Sequence, residues 1–469
     1  MPAPKRDDRK SGQAAKPDQR TPAQLDRDRI LYSTEFRRLA GVTQVVSPGE
    51  GEIFHSRLTH TLKVAQIARR LAEMFLVKDK DNGTKLVKGW GGIDPDVVES
   101  AAMAHDLGHP PFGHLAEYEL ARLVEETVVR EKYGLPHPAP LSQEARDELP
   151  KTEGYEGNAQ SFRIITTLAV RRPDSPPGLD LTRATLNATL KYPKTFDQNN
   201  PKYGVYSGEE DAAAFAFARA IQTPAGDGPC IEAQIMDWAD DIAYSVHDVE
   251  DFYRAGRIPL DRLRSNTRER AYFRDKAIKR RKDTNKPFKI EYEEIAPVLD
   301  NFLNLRIDIE GPYDGTRPRR QQLYKCTSSL IHEFLSGTAL RAHEGANGMA
   351  LERSDVMLTQ VDLLKEMIWC YVIYNPSLAG HQHGQREVIR TLFKVLNDAC
   401  LGRQFFLFPA AFKDRAEELG EKHNGTIPAA ERARLVADAI SSMTDQQALR
   451  LYQRLTASSQ GSVLDPIVV

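Results

Sequence analysis

Apolar residues recur every three or four positions along most of the chain, which is the spacing that places side chains on one face of an α-helix. In residues 55–75 this apolar face is broad. No stretch shows the sustained alternation typical of β-strands, so the pattern predicts an all-α fold. The same spacing predicts helices at residues 32–40, 156–170, 182–194, 231–256, 294–309, 321–336, 356–374, 385–401 and 428–455. In the last of these, Thr444 and Gln447 have the spacing of a capping box.

A further helix, immediately before the His-Asp pair at 105–106, has clear start and stop signals. Asp94 can cap its first turn, and Pro95 fits the first helical position, where a missing N–H costs nothing. Gly108 and Pro110 end the helix just after the pair. The pair is therefore expected at a helix end that a ligand can approach.

The composition argues against three broad classes of protein: globally basic nucleic-acid binders, secreted proteins and membrane-spanning proteins. The formal net charge of -2 argues against a globally basic nucleic-acid binder, although a local basic patch remains compatible with it. The charged N-terminus has no apolar core, so we expect no secretory signal there. The most apolar stretch, at 363–374, is interrupted by Lys365 and Glu366 and is too short to span a bilayer. These features predict a cytoplasmic protein. The four cysteines form no CxxC pair and fit a reducing compartment: Cys230, Cys326, Cys370 and Cys400.

Local composition divides the chain into four predicted parts. Residues 1–22 are polar and rich in charge, which predicts a disordered tail. Residues 23–260 form the predicted core and contain most of the titratable clusters. A basic insertion follows at 261–290, and residues 291–469 are predicted as a helical region packed on the core.

The densest group of chemically active side chains lies between positions 105 and 117. An adjacent histidine and aspartate offer a nitrogen ligand and an anionic oxygen ligand at one point, which suits a divalent cation such as Mn, Mg, Fe or Zn. The loop that follows presents candidates for proton transfer. The group comprises His105, Asp106, His109, His114 and Glu117. A His-Asp pair alone also occurs as a surface or core pair, so distant ligands must decide the metal assignment.

Two residues near the start of the 55–75 helix are candidates to join the His-Asp pair. His60 can meet it if the two helices pack as a pair, although a lone histidine there is also compatible with a core or capping role. Arg57, one turn earlier, carries the charged fork that phosphate binding needs. A surface salt bridge is the alternative for Arg57.

The helix at 231–256 carries Asp240, Tyr244 and Asp248 on one stripe, at positions i, i+4 and i+8. Stacked carboxylates repel each other unless a cation or a hydrogen-bonding ligand is present. One carboxylate on a metal, one ring on a sugar and one carboxylate on a hydroxyl would account for all three residues. An acidic, solvated helix face is the alternative.

Two further segments are candidates for polyanion binding. Lys191 and Tyr192 lie at the end of the helix at 182–194. As a functional pair, Lys191 would bind a polyphosphate, and the Tyr192 ring would contact a sugar or a base. The alternative is that Lys191 simply complements the helix dipole. Residues 262–289 hold 12 Lys or Arg against 3 acids, with Tyr272 and Phe273 among them. Such a segment can bind single-stranded DNA or can be a solvated surface.

From about Leu31 to Gly256 the chain resembles the HD-domain deoxynucleoside triphosphate triphosphohydrolases, the bacterial dGTPase-like proteins. The resemblance lies in RLTH (57–60), AHDLGHPPFGH (104–114) and ADDIAYSVHDVED (239–251), which occur in the family's order. It implies an HD-domain helical bundle with additional C-terminal helices. It also implies that the protein hydrolyses a dNTP, either dGTP or a similar nucleotide, to deoxynucleoside and inorganic triphosphate. The resemblance further implies a homo-oligomer, either a tetramer or a hexamer.

The resemblance also implies roles for single residues. The ligands of a divalent ion, Mg or Mn, would be His60, His105, Asp106 and Asp240. Asp240 is preferred to Asp241 because the family's aspartate lies four residues before the tyrosine that stacks on the sugar. The catalytic pair would be His114 and Glu117. Gln44 and Tyr244 would contact the sugar, and Asp248 would contact its 3′-hydroxyl. The phosphates would be bound by Arg57, His109 and Lys191, and Tyr192 completes the family's Lys-Tyr pair.

Two other functions remain open at this point. A different HD phosphohydrolase, acting on nucleoside monophosphates, cyclic nucleotides or ppGpp, would use the same four ligands. A non-catalytic nucleotide or nucleic-acid sensor would use 262–289 as its contact surface.

Overall fold

The computed structural model describes most of the chain. The described residues are 5–12, 19–45, 54–81, 92–134, 151–172, 176–198, 202–217, 228–343, 348–373 and 376–458.

Helices dominate the described residues, as the apolar spacing predicts. The N-terminal half contains α1 (Pro22–Leu31), α2 (Thr34–Arg38), α3 (Arg57–Asp81), α4 (Pro95–Ala104), α5 (His114–Tyr133), α6 (Gly157–Arg163), α7 (Arg183–Ala188), α8 (Glu210–Ala216) and α9 (Ile231–Arg254). The C-terminal half contains α10 (Leu260–Ser265), α11 (Thr267–Asp283), α12 (Tyr292–Arg306), α13 (Arg317–Ser336), α14 (Asp355–Ile368), α15 (Pro376–Leu401), α16 (Ala410–Lys422), α17 (Ala429–Ser441) and α18 (Asp445–Leu455). Single turns of 3₁₀ or π type lie at Leu39–Gly41, Ile164–Leu168, Trp369–Ile373 and Phe405–Leu407.

The all-α prediction is confirmed, with one small exception. Strands β1 (Ala339–His343) and β2 (Gly348–Glu352) form an antiparallel hairpin in which Ala339 pairs with Glu352. Each strand has only five residues, which is too short for alternation to stand out in the sequence. No helix among the described residues is both long and apolar enough to cross a lipid bilayer.

The helices α3, α4 and α9 pack on one another and form the centre of the fold. Their apolar faces meet in one large cluster, in which Val64, Val98 and Ile242 are completely buried. Burial of these faces provides most of the driving force for the arrangement, because apolar burial contributes roughly 25 cal/mol per Å². The packing brings the start of α3, the end of α4 and the middle of α9 together.

A second hydrophobic cluster joins α5 to the C-terminal helices α15, α17 and α18. Leu120 of α5, Leu396 of α15 and Ile440 of α17 are fully buried in it. The C-terminal region therefore packs directly against the helix that carries His114 and Glu117.

The predicted helix limits agree with the structure where local capping signals exist. The capping box of Thr444 and Gln447 is confirmed at the start of α18, and the helix predicted at 231–256 is α9. The helix predicted at 182–194 is wrong in its C-terminal half, since α7 ends at Ala188. Thr189 is a weak helix former, and Pro193 disfavours helical backbone at the residue before it.

Part of the segment predicted as a disordered tail has defined contacts in the structure. Arg9 is buried, and its guanidinium donates to the Asp26 carboxylate at 2.6 Å and to the Asp180 carbonyl. The basic segment predicted as an insertion consists of α10, α11 and the residues that follow. The three boundaries between the four predicted parts stay predictions.

Candidate metal and phosphate site

The start of α4 is fixed by the signals that the sequence shows, whereas the helix ends at Ala104, just before the His-Asp pair and not just after it. Asp94 is the N-cap and its side chain accepts from the Asp96 N–H, Pro95 starts the helix, and His105 is the C-cap. The turn after α4 presses against α6, because a Cβ at Gly108 would lie 2.3 Å from the carbonyl oxygen of Gly157. Only glycine fits there, and the close contact fixes the backbone that carries the His-Asp pair.

Three of the four predicted metal ligands converge from three helices. His60 of α3, His105 at the end of α4 and Asp240 of α9 present ligand atoms that all lie within 4.8 Å of one another. His60 Nε2 is 3.0 Å from Asp240 Oδ1, and His105 Nε2 is 3.7 Å from the same oxygen. Both histidines are at least nine-tenths buried.

Asp106, the fourth predicted ligand, borders this group. Its Oδ1 lies 3.4 Å from His105 Nε2, and its Oδ2 lies 4.0 Å from His60 Nε2. Arg57 donates to Oδ2 from Nη1 at 2.8 Å. The neighbouring Asp241, by contrast, forms an ion pair with Lys365 at 2.5 Å.

The charges in this group are those that a cation site needs. Burial raises the pKa of Asp106, but the cations around it, first Arg57, outweigh burial and hold that pKa well below its usual value. Burial also opposes ionisation of Asp240, but contacts with His105 and His60 lower its pKa. Burial lowers the pKa of His105, yet the Asp106 and Asp240 carboxylates raise it to about 9. A metal ion would displace that proton.

The residues present fit a divalent cation. His105 Nδ1 donates to the Ala102 carbonyl at 2.6 Å, which leaves Nε2 as the ligand nitrogen. That Nε2 is buried and has no hydrogen-bond partner among the described residues. Two imidazoles and two carboxylates form a mixed nitrogen and oxygen donor set that suits borderline or hard divalent ions.

The predicted catalytic pair forms a second group beside the first. His114 starts α5, and its Nδ1 donates to Glu117 Oε2 at 2.9 Å, while Glu117 Oε1 accepts from the Gly157 N–H at 3.0 Å. Burial raises the pKa of Glu117, but the contact with His114 outweighs it and lowers that pKa. The His114 side chain is 62% exposed, so its ring can reach a bound substrate.

His109 lies between the two groups. Its Nδ1 is 3.0 Å from Asp106 Oδ1, and its Nε2 is 4.0 Å from Glu117 Oε2. Burial and the nearby Arg57 guanidinium lower the pKa of His109 to about 4, so its ring is neutral at pH 7. A neutral ring can still donate one hydrogen bond to a phosphate oxygen.

The predicted phosphate contacts Arg57 and Lys191 lie at the edge of the metal group. Arg57 is 2% exposed, and its Nη2 has no hydrogen-bond partner among the described residues. Lys191 lies just beyond α7, where its ammonium group contacts the Asp237 carboxylate of α9 and lies 5.8 Å from the centre of the Tyr192 ring. Burial lowers the pKa of Lys191, but Asp237 and Asp240 raise it well above its usual value.

The predicted sugar contacts follow Asp240 along α9. Tyr244 is partly buried, and Asp248 is buried with an Oδ2 that has no partner among the described residues. Burial, and then repulsion from Asp251, raise the pKa of Asp248 well above its usual range. Gln44 has a buried Oε1 without a described partner and lies beside the loop before α5.

The structure places a further cation, Lys202, near Glu117, and the sequence alone does not indicate this position. Its Nζ donates to Glu156 Oε1 at 3.0 Å, and its charge lowers the pKa of Glu117. Glu156 is the N-cap of α6, and its carboxylate accepts from the N–H groups of Asn158 and Ala159. The EGN sequence at 156–158 signals this cap, whereas no local pattern identifies the lysine in its loop.

Comparisons with known proteins match two parts of the chain to family models. Residues 57–147 match the HD domain, which carries His60 and the 105–117 group. Residues 351–454 match the phosphohydrolase-associated domain. The second match covers α14 to α18, and two of these helices, α15 and α17, pack directly on α5.

Relatives from several bacteria are similar to the chain over most of its length. A deoxyguanosinetriphosphate triphosphohydrolase-like protein of Streptomyces coelicolor is 36% identical over 94% of this chain and 95% of its own. Proteins of the same name are 33% identical in Corynebacterium diphtheriae, over 93% and 92% of the two chains, and 30% identical in Bifidobacterium longum, over 93% and 83%.

Proposed function

Because the chain belongs to the deoxyguanosinetriphosphate triphosphohydrolase-like family of HD-domain proteins, we propose that it hydrolyses deoxynucleoside triphosphates, dGTP or similar ones, to deoxynucleoside and inorganic triphosphate. The observation that carries the proposal is the convergence of His60, His105 and Asp240 beside Arg57, whose Nη2 has no hydrogen-bond partner in the described part of the chain. Ligands for a divalent cation and a donor for a phosphate therefore share one buried site.

The proposed ligands are His60, His105, Asp106 and Asp240, and the proposed ion is Mg²⁺ or Mn²⁺. When bound, the ion polarises the α-phosphate and offsets the charge that develops there. In the proposed reaction a water oxygen bonds to the α-phosphorus while the bond to O5′ breaks. The deoxynucleoside leaves with a new 5′-hydroxyl, and triphosphate is released intact.

His114 and Glu117 are proposed to handle the proton. The contact of Nδ1–H with Glu117 fixes the ring and leaves Nε2 to carry a proton to O5′. Glu117, near the positive N-terminus of α5 and bonded to the Gly157 N–H, stays ionised and stabilises the charged ring.

The triphosphate is proposed to bind between Arg57 Nη2, His109 and Lys191, with Lys202 as a further cation. Lys191 contacts Asp237 in the structure, so the phosphates would have to compete with that carboxylate. The three cations Arg57, Lys191 and Lys202, with the neutral His109 ring as a further donor, suit a chain of three phosphates better than a single phosphate. This preference favours a triphosphate over the nucleoside monophosphates and cyclic nucleotides of other HD phosphohydrolases.

The sugar is proposed to stack on Tyr244, with Asp248 at its 3′-hydroxyl and a tight 2′ side near Gln44. Because the Asp248 Oδ2 is buried and has no partner among the residues that the structure describes, a substrate hydroxyl would satisfy it. The tight 2′ side would disfavour ribose. Equal turnover of rGTP and dGTP would therefore remove this part of the proposal.

A 2′,3′-dideoxynucleoside triphosphate is expected to be a poor substrate. Without the 3′-hydroxyl, Asp248 keeps its unpaired buried oxygen, and we expect kcat/KM to fall about 10–100-fold relative to the matching dNTP. In Asp248→Ala the two substrates should differ by less than about threefold. If the wild-type enzyme and this variant show the same ratio between the two substrates, Asp248 does not contact the 3′ position.

A direct assay tests the proposed activity as a whole. The purified protein is incubated with each of the four dNTPs, the matching rNTPs, a nucleoside monophosphate and ppGpp, with Mn²⁺ or Mg²⁺, and the products are separated by ion-exchange chromatography. Free triphosphate from a dNTP supports the proposal, and orthophosphate from a monophosphate supports another HD phosphohydrolase. If His105→Ala leaves the biological function intact, the protein acts as a sensor.

The exposed side of α11 is proposed to contact single-stranded DNA. The structure pairs Arg270 with Asp300 and Arg280 with Glu366, so part of the positive charge stabilises the fold. Tyr272 remains half exposed, with the Lys276 ammonium 5.7 Å from its ring centre. This pairing of ring and cation suits an unpaired base and its phosphate.

Charge removal from this surface is expected to weaken DNA binding and not catalysis. The double variant Lys276→Gln, Lys279→Gln should reduce the salt dependence of oligonucleotide binding, by about 0.7 in slope for each phosphate that the variant no longer neutralises. Fluorescence anisotropy across a salt series measures that slope. An unchanged slope would mean that α11 is a solvated surface.

A homo-oligomer, a tetramer or a hexamer, acting in the cytoplasm, completes the proposal. The oligomeric state comes from the family resemblance alone, and the location from the composition of the chain. Light scattering of the purified protein measures the number of subunits directly.

A further inference from the structure

The loop that leads into α5 contains a backbone conformation that its sequence disfavours. The Gly113 N–H donates to the Pro110 carbonyl at 3.1 Å, which closes a four-residue turn with Pro111 and Phe112 at its centre. Phe112 has a φ of 66°, in the left-handed region that glycine or asparagine usually occupies at this position. Phenylalanine stays there only if its surroundings hold it.

The residue that holds this turn is distant in sequence. Asp445, at the start of α18, is 2% exposed, and its Oδ1 accepts from the Phe112 N–H at 2.9 Å. The same Oδ1 lies 3.4 Å from the Thr43 nitrogen, and Oδ2 accepts from the Thr43 hydroxyl. The Phe112 ring is buried in the second hydrophobic cluster.

A second contact reinforces the same junction. Arg38 donates to the Met443 carbonyl at 3.0 Å and to the carbonyls of Leu107 and His109 at 2.6 and 2.9 Å. Residues 443–445 therefore reach the loop after the His-Asp pair by two independent routes, one through a carboxylate and one through a guanidinium.

Both segments that Asp445 joins lead to proposed functional residues. Phe112 is two positions before His114, and Gly113 between them is the N-cap of α5. Thr43 is adjacent to Gln44, and its carbonyl accepts from Arg57 Nε. A Cβ at Gly113 would lie 3.2 Å from that carbonyl oxygen and 3.3 Å from Arg57 Nη2, so the two segments are in close contact.

We propose that Asp445 is a positioning residue for the hydrolysis, which sets His114 and Arg57 relative to each other through the Phe112 turn and Thr43. The phosphohydrolase-associated region thereby supplies the active site with a carboxylate that touches no substrate. The expected effect on catalysis rests on the proposed function. The expected effect on the Phe112 turn rests on the geometry alone.

The hydrogen-bond geometry, and not the negative charge, is the property that matters. In Asp445→Asn the amide oxygen can replace Oδ1, and the amide nitrogen can donate to the Thr43 hydroxyl, which accepts as well as donates. In Asp445→Ala the buried Phe112 N–H has no acceptor and the turn is free to relax. The two variants separate geometry from charge.

Amide hydrogen exchange followed by mass spectrometry tests the turn without any substrate. In Asp445→Ala, residues 112–114 should exchange at least about tenfold faster than in the wild type, and α17 should be unchanged. The kcat for dNTP hydrolysis should fall about 100-fold, because small displacements of catalytic groups have effects of that size. Affinity for Mn²⁺ measured by calorimetry should stay the same.

Two variants control for a general loss of stability. Thr444→Ala removes the N-cap of α18 and weakens the same helix start, but it leaves the Asp445 carboxylate in place, so kcat and exchange at 112–114 should stay close to wild type. Asp445→Asn keeps the hydrogen bonds, so its kcat should lie within about threefold of the wild-type value. Thr43→Val removes the hydroxyl donor and should change kcat and the exchange at 112–114 in the same direction as Asp445→Ala does. If Asp445→Ala does not fold, Thr43→Val takes its place.

Unchanged exchange at 112–114 in Asp445→Ala would overturn the proposal, and so would an equal loss of kcat in Thr444→Ala. Loss of activity in Asp445→Asn with normal exchange would show that charge and not geometry matters, which also overturns it. If the wild-type protein hydrolyses no dNTP, the proposed function fails, while the exchange result still decides the role of Asp445 in the turn.

Discussion

Asp240→Asn is expected to abolish binding of the divalent ion and to lower dNTP hydrolysis at least about a thousandfold, since the ion contributes several kcal/mol to the transition state. Asp240 Oδ1 lies 3.0 Å from His60 Nε2 and 3.7 Å from His105 Nε2, so it faces both histidines. A neutral amide at this position removes one of the two anionic ligands. Calorimetric titration with Mn²⁺ measures the binding, and release of triphosphate measures the activity.

The adjacent residue provides a matched control for this experiment. Asp241→Asn makes the same chemical change one position along α9, where the side chain pairs with Lys365. We expect normal Mn²⁺ affinity and kcat within about threefold of wild type, as for loss of a partly exposed ion pair. If the two variants behave alike, or if Asp241→Asn alone loses the metal, the assignment of Asp240 is wrong.

Glu117→Gln is expected to lower kcat about 10²–10⁴-fold with little change in KM or Mn²⁺ affinity, which is the usual contribution of a positioned general acid or base. Glutamine can still accept from the Gly157 N–H with its oxygen. Its amide group would then donate to His114 Nδ1, which reverses the tautomer and moves the ring proton to Nε2. The variant also loses the negative charge that stabilises a protonated ring.

Glu119→Gln serves as the control for this second experiment. It makes the same change two residues further along α5, where Glu119 pairs with Arg122 and Arg390 and touches neither group of the site. Hydrolysis should remain close to wild type. If the Glu117→Gln enzyme has a normal kcat, Glu117 and His114 do not take part in the chemistry as proposed.

The parts of the fold that the sequence predicts are those with local causes. The cap at Asp94 and the end of α4 at the His-Asp pair depend on residues within a few positions of each other, and the apolar spacing of α3 and α9 determines which faces they bury. Once these helices are predicted, the family resemblance supplies the expected meeting of His60 with Asp240. Those site assignments stay predictions, although the structure brings the residues together.

The parts that the sequence does not predict depend on contacts between distant segments. The capping box identifies the start of α18, but nothing near Asp445 indicates that its carboxylate reaches Thr43 and Phe112. The PPFG sequence suggests a turn, with Gly113 as the natural site of positive φ. Phe112 has one as well because burial of its ring and the bond to Asp445 override the local preference.

The measurement that tests the central claim most directly is hydrolysis of a dNTP in water enriched in ¹⁸O, with both products analysed by mass spectrometry. If the site holds the cation at the α-phosphate and delivers the leaving-group proton to O5′, each triphosphate carries one ¹⁸O and the deoxynucleoside carries none. Label in the 5′-hydroxyl of the nucleoside, or products that consist of pyrophosphate and a deoxynucleoside monophosphate, would contradict the account.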